Sequence, residues 1–314
     1  MDSKRTLPST AGTFSAVLDE YEASPNFTKN AGTTQANYRR ILRWAHDVLG
    51  AIPIGDLKPS LVQYALDKLA DRPAAQFNAK AVLGAVDKWA AVRDKLPREI
   101  TKGTEAPGSD GGHQPWTDTQ VALAEREARP DLSRVVTIAV NTGQRGSDIV
   151  RMRLTDLEER TDPATHARVA GIHVVQQKTG LRLWVPLTDA LAAKIAEWRR
   201  DIGPPWLLVT RPSGEPYTRP LLSWHWNKER DTNSALATIS EAGLALHGLR
   251  ATCVVRLRQR GASVLQICSM VGMSEPMVAR YSRLADQGDM AMAAVHYLNA
   301  GTRGERKLSA EAGK

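Results

Sequence analysis

Five side chains in this sequence have types that could do chemistry together: Arg145, Lys178, His247, Arg250 and Tyr281. A guanidinium fork meets phosphate oxygens with two parallel hydrogen bonds, a geometry that lysine cannot copy. Two such forks, Arg145 and Arg250, would suit a phosphoryl group during in-line transfer. The phenol of Tyr281, with an ordinary pKa of about 10, becomes a nucleophile once it loses its proton, and nearby positive charge lowers that cost. His247 and Lys178 are groups that can move protons. Each also has an ordinary reading. Arg145 after Gly143 could be a solvated charge, and Lys178 beside Gly180 a plain hairpin residue. His247 and Arg250, three apart, share a helix face and could cap it or pair with Glu. Tyr281 with Met277 and Val278 has the spacing of a core-facing residue.

The elements that must position these groups follow from periodicity. Residues 11–97 read as all helix. Thr34 could cap a segment whose apolar positions Tyr38, Ile41, Leu42, Ala45, Val48 and Leu49 keep helical spacing. Residues 60–71 and 76–95 supply two more amphipathic segments, the second with Ala81, Val82, Ala85, Trp89 and Val92. A Gly- and Pro-rich stretch at 101–115 marks a linker. Beyond it, Thr117 and Gln120 have the spacing of a capping box, and a helix is expected over 131–142. Strand-like runs at 171–176 and 181–186 flank Gln177, Lys178, Thr179 and Gly180, which predicts a hairpin with Lys178 at or beside its turn. Helices are expected at about 187–200, 220–236, 247–260, 263–271, 275–285 and 287–299.

Read in order, these residues spell a resemblance. The stretch from Asn141 through Thr142, Gly143, Gln144, Arg145 and Asp148 to Leu154 resembles the first signature box of the tyrosine recombinases of the phage-integrase type. The stretch His247-Gly248-Leu249-Arg250 resembles the second box, and Val271 to Ser274 followed by Met277 to Arg283 resembles the turn and nucleophile helix. Lys178 falls where that family places its hairpin lysine.

The resemblance implies a mainly α fold with a small β-sheet. It would comprise an N-terminal helical core-binding (SAM-like) bundle at 11–97, a linker at 98–115 and an α+β tyrosine-recombinase catalytic domain at 116–299. A flexible N-terminus at 1–10 and a disordered tail at 300–314 would flank them. It implies site-specific DNA strand cleavage and rejoining through a 3′-phosphotyrosyl bond to Tyr281, with no metal and no nucleotide cofactor. In that scheme Arg145 and Arg250 hold the phosphate, Lys178 protonates the departing 5′ oxygen, and His247 sits beside the phosphate as donor and proton-transfer partner. Asp148 would orient Arg145 or His247. The implied partners are double-stranded DNA, three further copies of the chain on two duplexes, and accessory bending or directionality factors. The two domains would close around the duplex as a C-shaped clamp.

The sequence departs from the pattern at one place. Met273 stands where the family has His or Trp, and a thioether cannot donate a hydrogen bond to a phosphate. The stretch from Met273 to Tyr281 is also about one residue short. Ser274 or His247 could supply the missing donor. A catalytically impaired DNA-binding member of the same fold therefore stays open, as does a topoisomerase IB or telomere resolvase with the same chemistry. A helix-turn-helix regulator would not need Lys178 and Tyr281 beside two separated arginines.

Composition agrees with a polyanionic partner. The 314 residues carry 42 Lys and Arg against 34 Asp and Glu, a formal charge of +8, and each phosphate neutralised on DNA releases counterions. Arg39, Arg40, Arg43 and Lys80 are candidates for backbone contact. Cys253 and Cys268 lie in apolar stretches without metal-ligand spacing and are expected to be reduced, buried thiols. No apolar run suggests a signal or a membrane span, so a cytoplasmic protein is expected. Only about ten residues precede the first helix, so no additional arm-site-binding domain is expected.

Overall fold

The computed structural model describes residues 11–108 and 113–283, with Gly288, Ala291, Met292, Ala294 and Val295. The expected flexible N-terminus at 1–10 and tail at 300–314 lie outside them, as does most of the expected helix at 287–299. The chain divides into two compact units, residues 1–111 and 112–314. Among the described residues no helix is long and apolar enough to cross a membrane.

The first unit is a helical bundle. It contains α1 (Phe14–Ala23), α2 (Pro25–Thr28), α3 (Gly32–Leu49), α4 (Pro59–Asp67) and α5 (Pro73–Ala91). Proline opens α2, α4 and α5, where its fixed φ and missing N–H cost nothing. Phe14, Val17, Leu18 and Tyr21 of α1 meet Leu42, Ala45, Val82, Leu83 and Val86 in one apolar core. Removing that area from water supplies the main drive for the bundle.

Two expectations shift here. Thr34 lies inside the first turn of α3 rather than at its cap, because Ala31 precedes the helix and Gln35 Nε2 reaches back to the carbonyls of Thr28 and Asn30, at 2.9 and 2.8 Å. On α5 the buried apolar stripe is Ala79, Val82, Leu83, Val86, Trp89 and Ala90, so Val82 and Trp89 lie inside as expected while Ala81 and Val92 are exposed. Leu83 sets the buried direction, and the helix ends at Ala91, before Val92.

The expected linker at 98–115 is also narrower. Ile100 is fully buried in the bundle core. The buried Asp87 carboxylate accepts from Ile100 N (3.1 Å), Thr101 N (2.8 Å) and Thr101 Oγ1 (2.6 Å). Gln63 Oε1 accepts from Glu105 N at 2.6 Å, and Lys80 Nζ donates to the Thr104 carbonyl. A buried carboxylate must be satisfied, so Asp87 ties this stretch to the helices. At the other end, Trp116 N donates to Thr252 Oγ1 at 2.6 Å within the second unit.

The second unit joins helices to a small sheet. Its elements are α6 (Asp118–Glu127), α7 (Pro130–Thr142), α8 (Gly146–Ile149), β1 (Leu157–Thr161), β2 (Arg168–Val175), β3 (Arg182–Pro186), α9 (Asp189–Trp198), α10 (Arg219–Thr232), α11 (Ala237–Glu241), α12 (Gly248–Gln259), α13 (Val264–Val271) and α14 (Glu275–Ser282). The capping box of Thr117 and Gln120 opens α6 as expected. The strands form an antiparallel meander in the order β1-β2-β3. β1 was not anticipated: its Leu-Glu-Glu-Arg-Thr has no apolar alternation, because it is an edge strand with mostly exposed side chains.

Helix α7 is buried on almost every side through Leu132, Val135, Val136, Ile138, Ala139 and Val140. Helix α12 is buried without interruption from Gly248 to Val254. Together they form the floor beneath the candidate site. Cys253 lies within it, and burial pushes its thiol up to about 12. Cys268, expected to be buried as well, is partly exposed at the edge of α13.

Candidate active site

Two helices end at glycines in the left-handed conformation. Gly143 (φ 62°) closes α7, and Gly272 (φ 63°) closes α13. Each is the residue that can take this cap without strain, and each turns its carbonyl toward Arg250. Arg250 is only 2% exposed. Its Nη1 donates to Gly143 O and its Nη2 to Gly272 O at 3.4 Å. Burial, then the neighbouring Arg145 charge, pushes the Arg250 pKa down to about 10.

Arg145 follows the first of these caps, immediately before α8. Its Nη1 donates to Gln176 Oε1 at 2.9 Å. Gln176, at the end of β2, is fully buried and satisfied: Nε2 donates to Gln144 Oε1 and to Val271 O, both at 2.9 Å, and Oε1 also accepts from Thr179 Oγ1 at 3.1 Å. One glutamine thus ties the Arg145 loop, the β2–β3 turn and the end of α13 together. It was missed in the sequence, although a signal was present: the inward positions of β2 are Ile172 and Val174, and the two-residue period places Gln176 next on that face.

Asp148 is 2% exposed on α8. Its Oδ1 accepts from Gln177 N at 2.9 Å and from Ser147 Oγ at 3.3 Å, while Oδ2 stands 4.0 Å from Arg145 Nη1. Asp148 Oδ2 has no hydrogen-bond partner among the described residues. Of the two alternatives for this carboxylate, it faces Arg145, and it also braces the turn that carries Lys178. Lys178 is exposed, in the turn as expected.

His247 occupies the cap position of α12 but makes no side-chain cap bond, so capping does not account for it. Its ring meets that of His113 edge-on, with centroids 4.9 Å apart. Burial, then His113 and Arg250, Arg219 and Arg145, push the His247 pKa down to about 4. The imidazole is therefore neutral at pH 7.

Tyr281 is 3% exposed on α14 and packs with Val278, Val271 and Cys253. It also lines a cavity of about 520 Å³ shared with Arg145, Lys178, His247 and Arg250. Met273 and Ser274 line the same cavity, Met273 half-buried and Ser274 exposed at the start of α14. A further arginine, Arg219 of α10, opens into it too and was not anticipated. Among the described residues, Asp148 is the one carboxylate within 4.0 Å of any of these cations. Such a cavity is built to receive negative charge.

The four candidate DNA-contacting residues belong to the first unit. Arg39, Arg40 and Arg43 are exposed on α3, where Arg39 Nε pairs with Glu22 Oε1 at 2.7 Å. Lys80 is engaged by the Thr104 carbonyl.

No protein-family model and no curated protein sequence matches the chain. Solved structures do. A lambda integrase tetramer bound to a Holliday junction matches at a TM-score of 0.69 and 20% identity, covering 87% of this chain and 77% of that one. The Tn1549 transposon integrase (residues 82–397 of that protein) in complex with circular intermediate DNA matches at 0.67 and 15%, covering 90% and 99%. The XerH site-specific recombinase bound to a palindromic difH substrate matches at 0.65 and 13%, covering 84% and 80%. The chain has the tyrosine-recombinase fold.

Proposed function

We propose that this chain is a site-specific DNA recombinase that cuts and rejoins strands through Tyr281. The observation that carries the reading is the cavity in which Arg145, Lys178, His247, Arg250 and Tyr281 meet around a space short of carboxylates. The fold shared with DNA-bound integrases supports it.

In this reading the phenolic oxygen of Tyr281 attacks a phosphorus atom of the backbone and the P–O5′ bond breaks. The products are a 3′-phosphotyrosyl bond and a free 5′ hydroxyl. The phenolic proton leaves as the bond forms, and neutral His247 is suited to take it. The departing O5′ receives a proton from Lys178. Arg145 and Arg250 hold the non-bridging oxygens, each already fixed by neutral partners, so little reorganisation is needed as charge develops. Rejoining reverses the step: a 5′ hydroxyl attacks phosphorus and Tyr281 leaves with its proton restored. The phosphotyrosyl bond conserves the energy of the broken bond, so no nucleotide is consumed.

Double-stranded DNA is the partner, held mainly through phosphates, with Arg39, Arg40, Arg43 and Lys80 contributing from the helical unit. Four protomers on two duplexes, with accessory bending or directionality factors, complete the proposed assembly. Two free thiols and a DNA substrate fit action in the cytoplasm.

Met273 favours a second reading, a member of the fold that binds DNA without cutting it. Covalent capture on a nicked duplex from the ends of the element that encodes the chain separates the two. Wild type should give a slow-migrating, protease-sensitive species on an SDS gel, and Tyr281→Phe none. Tight binding without an adduct for wild type would establish the non-catalytic reading.

A further inference from the structure

Resting on the recombinase reading, we propose that Arg219 is a third arginine gripping the scissile phosphate, placed where the site lacks a donor at Met273. Arg219 lines the cavity with Tyr281, Arg145, His247 and Arg250. It is the first residue of α10, and no acidic residue lies in that first turn. A cation there opposes the helix dipole, which favours negative charge at a helix start.

Its surroundings do not repay the burial. Desolvation lowers its pKa, and among the described residues no carboxylate lies within 4.0 Å of it. Two other partly buried arginines of the same unit are paired with carboxylates: Arg129 is bidentate on Asp131 (2.9 and 3.1 Å), and Arg230 meets Asp231 and the Leu244 carbonyl. Arg219 has a hydroxyl instead, with Nη1 donating to Ser223 Oγ one turn along. A half-buried guanidinium held by one neutral oxygen keeps donors available for an anion.

Its position is also built rather than incidental. A Cβ on Gly146 would lie 3.2 Å from Arg219 Nε and 3.4 Å from its Cδ, so the side chain crosses the bare backbone next to Arg145. Ser223 then fixes the direction of the head group. Met273 lines the same cavity and cannot donate a hydrogen bond. Arg219 brings the missing donor from a different element.

The test uses the full chain and the element-end duplex that wild type binds most tightly. Adduct formation is timed for wild type, Arg219→Ala and Arg219→Lys on the ordinary phosphodiester and on a methylphosphonate at the scissile position. Arg219→Ala should slow the ordinary reaction about 100-fold, the cost of losing one transition-state donor, and Arg219→Lys should recover part of that loss. On the methylphosphonate, which lacks the charged oxygen, the gap between wild type and Arg219→Ala should close to within about threefold. An unchanged rate for Arg219→Ala on the phosphodiester would overturn the proposal. So would an equal loss on both backbones, which marks a structural role, or a gap that closes only when the methylphosphonate sits at a neighbouring phosphate. Failure of the recombinase reading itself looks different: wild type forms no adduct on a duplex it binds.

Discussion

Asp148 Oδ1 accepts the backbone N–H of Gln177 at 2.9 Å, so a carboxylate three residues after Arg145 holds the turn in which Lys178 stands. The same carboxylate faces Arg145 at 4.0 Å. Asp148→Ala should remove both interactions and destabilise the protein by about 2 kcal/mol, as expected for a buried charged acceptor. Asp148→Asn keeps an oxygen for Gln177 and should cost less. Amide exchange at Gln177 checks this directly: it should accelerate in Asp148→Ala and stay protected in Asp148→Asn.

Gln176 has no apolar equivalent at its position. Gln176→Leu should leave Gln144 Oε1 without its donor, the Val271 carbonyl with only the long bond from Gln144 Nε2 at 3.5 Å, and Arg145 without its acceptor. We expect a stability loss of about 2–4 kcal/mol by urea titration, since several buried groups lose partners at once. Adduct formation should fall further than binding, because Arg145 loses its aim while its charge remains.

The His247 imidazole titrates at 6.5 when unfolded and at about 4 in the fold. Between those values the unfolded chain binds more protons, so stability is fully present above about pH 6.5 and falls as pH drops toward 4. The shift corresponds to at most about 3 kcal/mol. Denaturant midpoints from pH 7 to pH 4.5 should fall less steeply for His247→Asn than for wild type. Equal slopes would remove His247 as the cause.

Met273→His adds a donor to the cavity at the turn before α14. Adduct formation should rise about tenfold in Arg219→Ala and by less in wild type, where Arg219 already serves. Timed SDS-gel assays of the single and double variants measure that difference.

On α3, replacing Arg39, Arg40 and Arg43 together by Gln should weaken DNA binding. The slope of log affinity against log salt should become shallower by about one for each phosphate that is no longer neutralised. An unchanged slope would show that these three side chains neutralise no phosphate.

Much of this protein is legible in one dimension. The capping box at Thr117, the helix over Pro130–Thr142, the hairpin around Lys178 and the left-handed stop at Gly143 follow from local spacing and backbone sterics. Those forces act within a few residues, and the sequence states them openly. Arg145, Lys178, His247, Arg250 and Tyr281 could be picked out because their types suit one reaction and their order resembles one family. Strand β1 could not, since an exposed edge strand carries no apolar alternation. The limits of the linker were hidden as well, because Asp87 reaches Ile100 and Thr101 across the bundle.

Only the tertiary structure decided what surrounds the five residues. Gln176 is an ordinary strand-end amide until folding brings Gln144 and Arg145 to it from the α7–α8 loop and Val271 from the end of α13. Arg219 is an ordinary helix-start arginine until Gly146 leaves room for its side chain and the described residues place no carboxylate within 4.0 Å of it. The physical reason is range. Propensity, capping and periodicity act between near neighbours and can be read along the chain, whereas burial and charge balance at a site depend on which distant segments the core presses together.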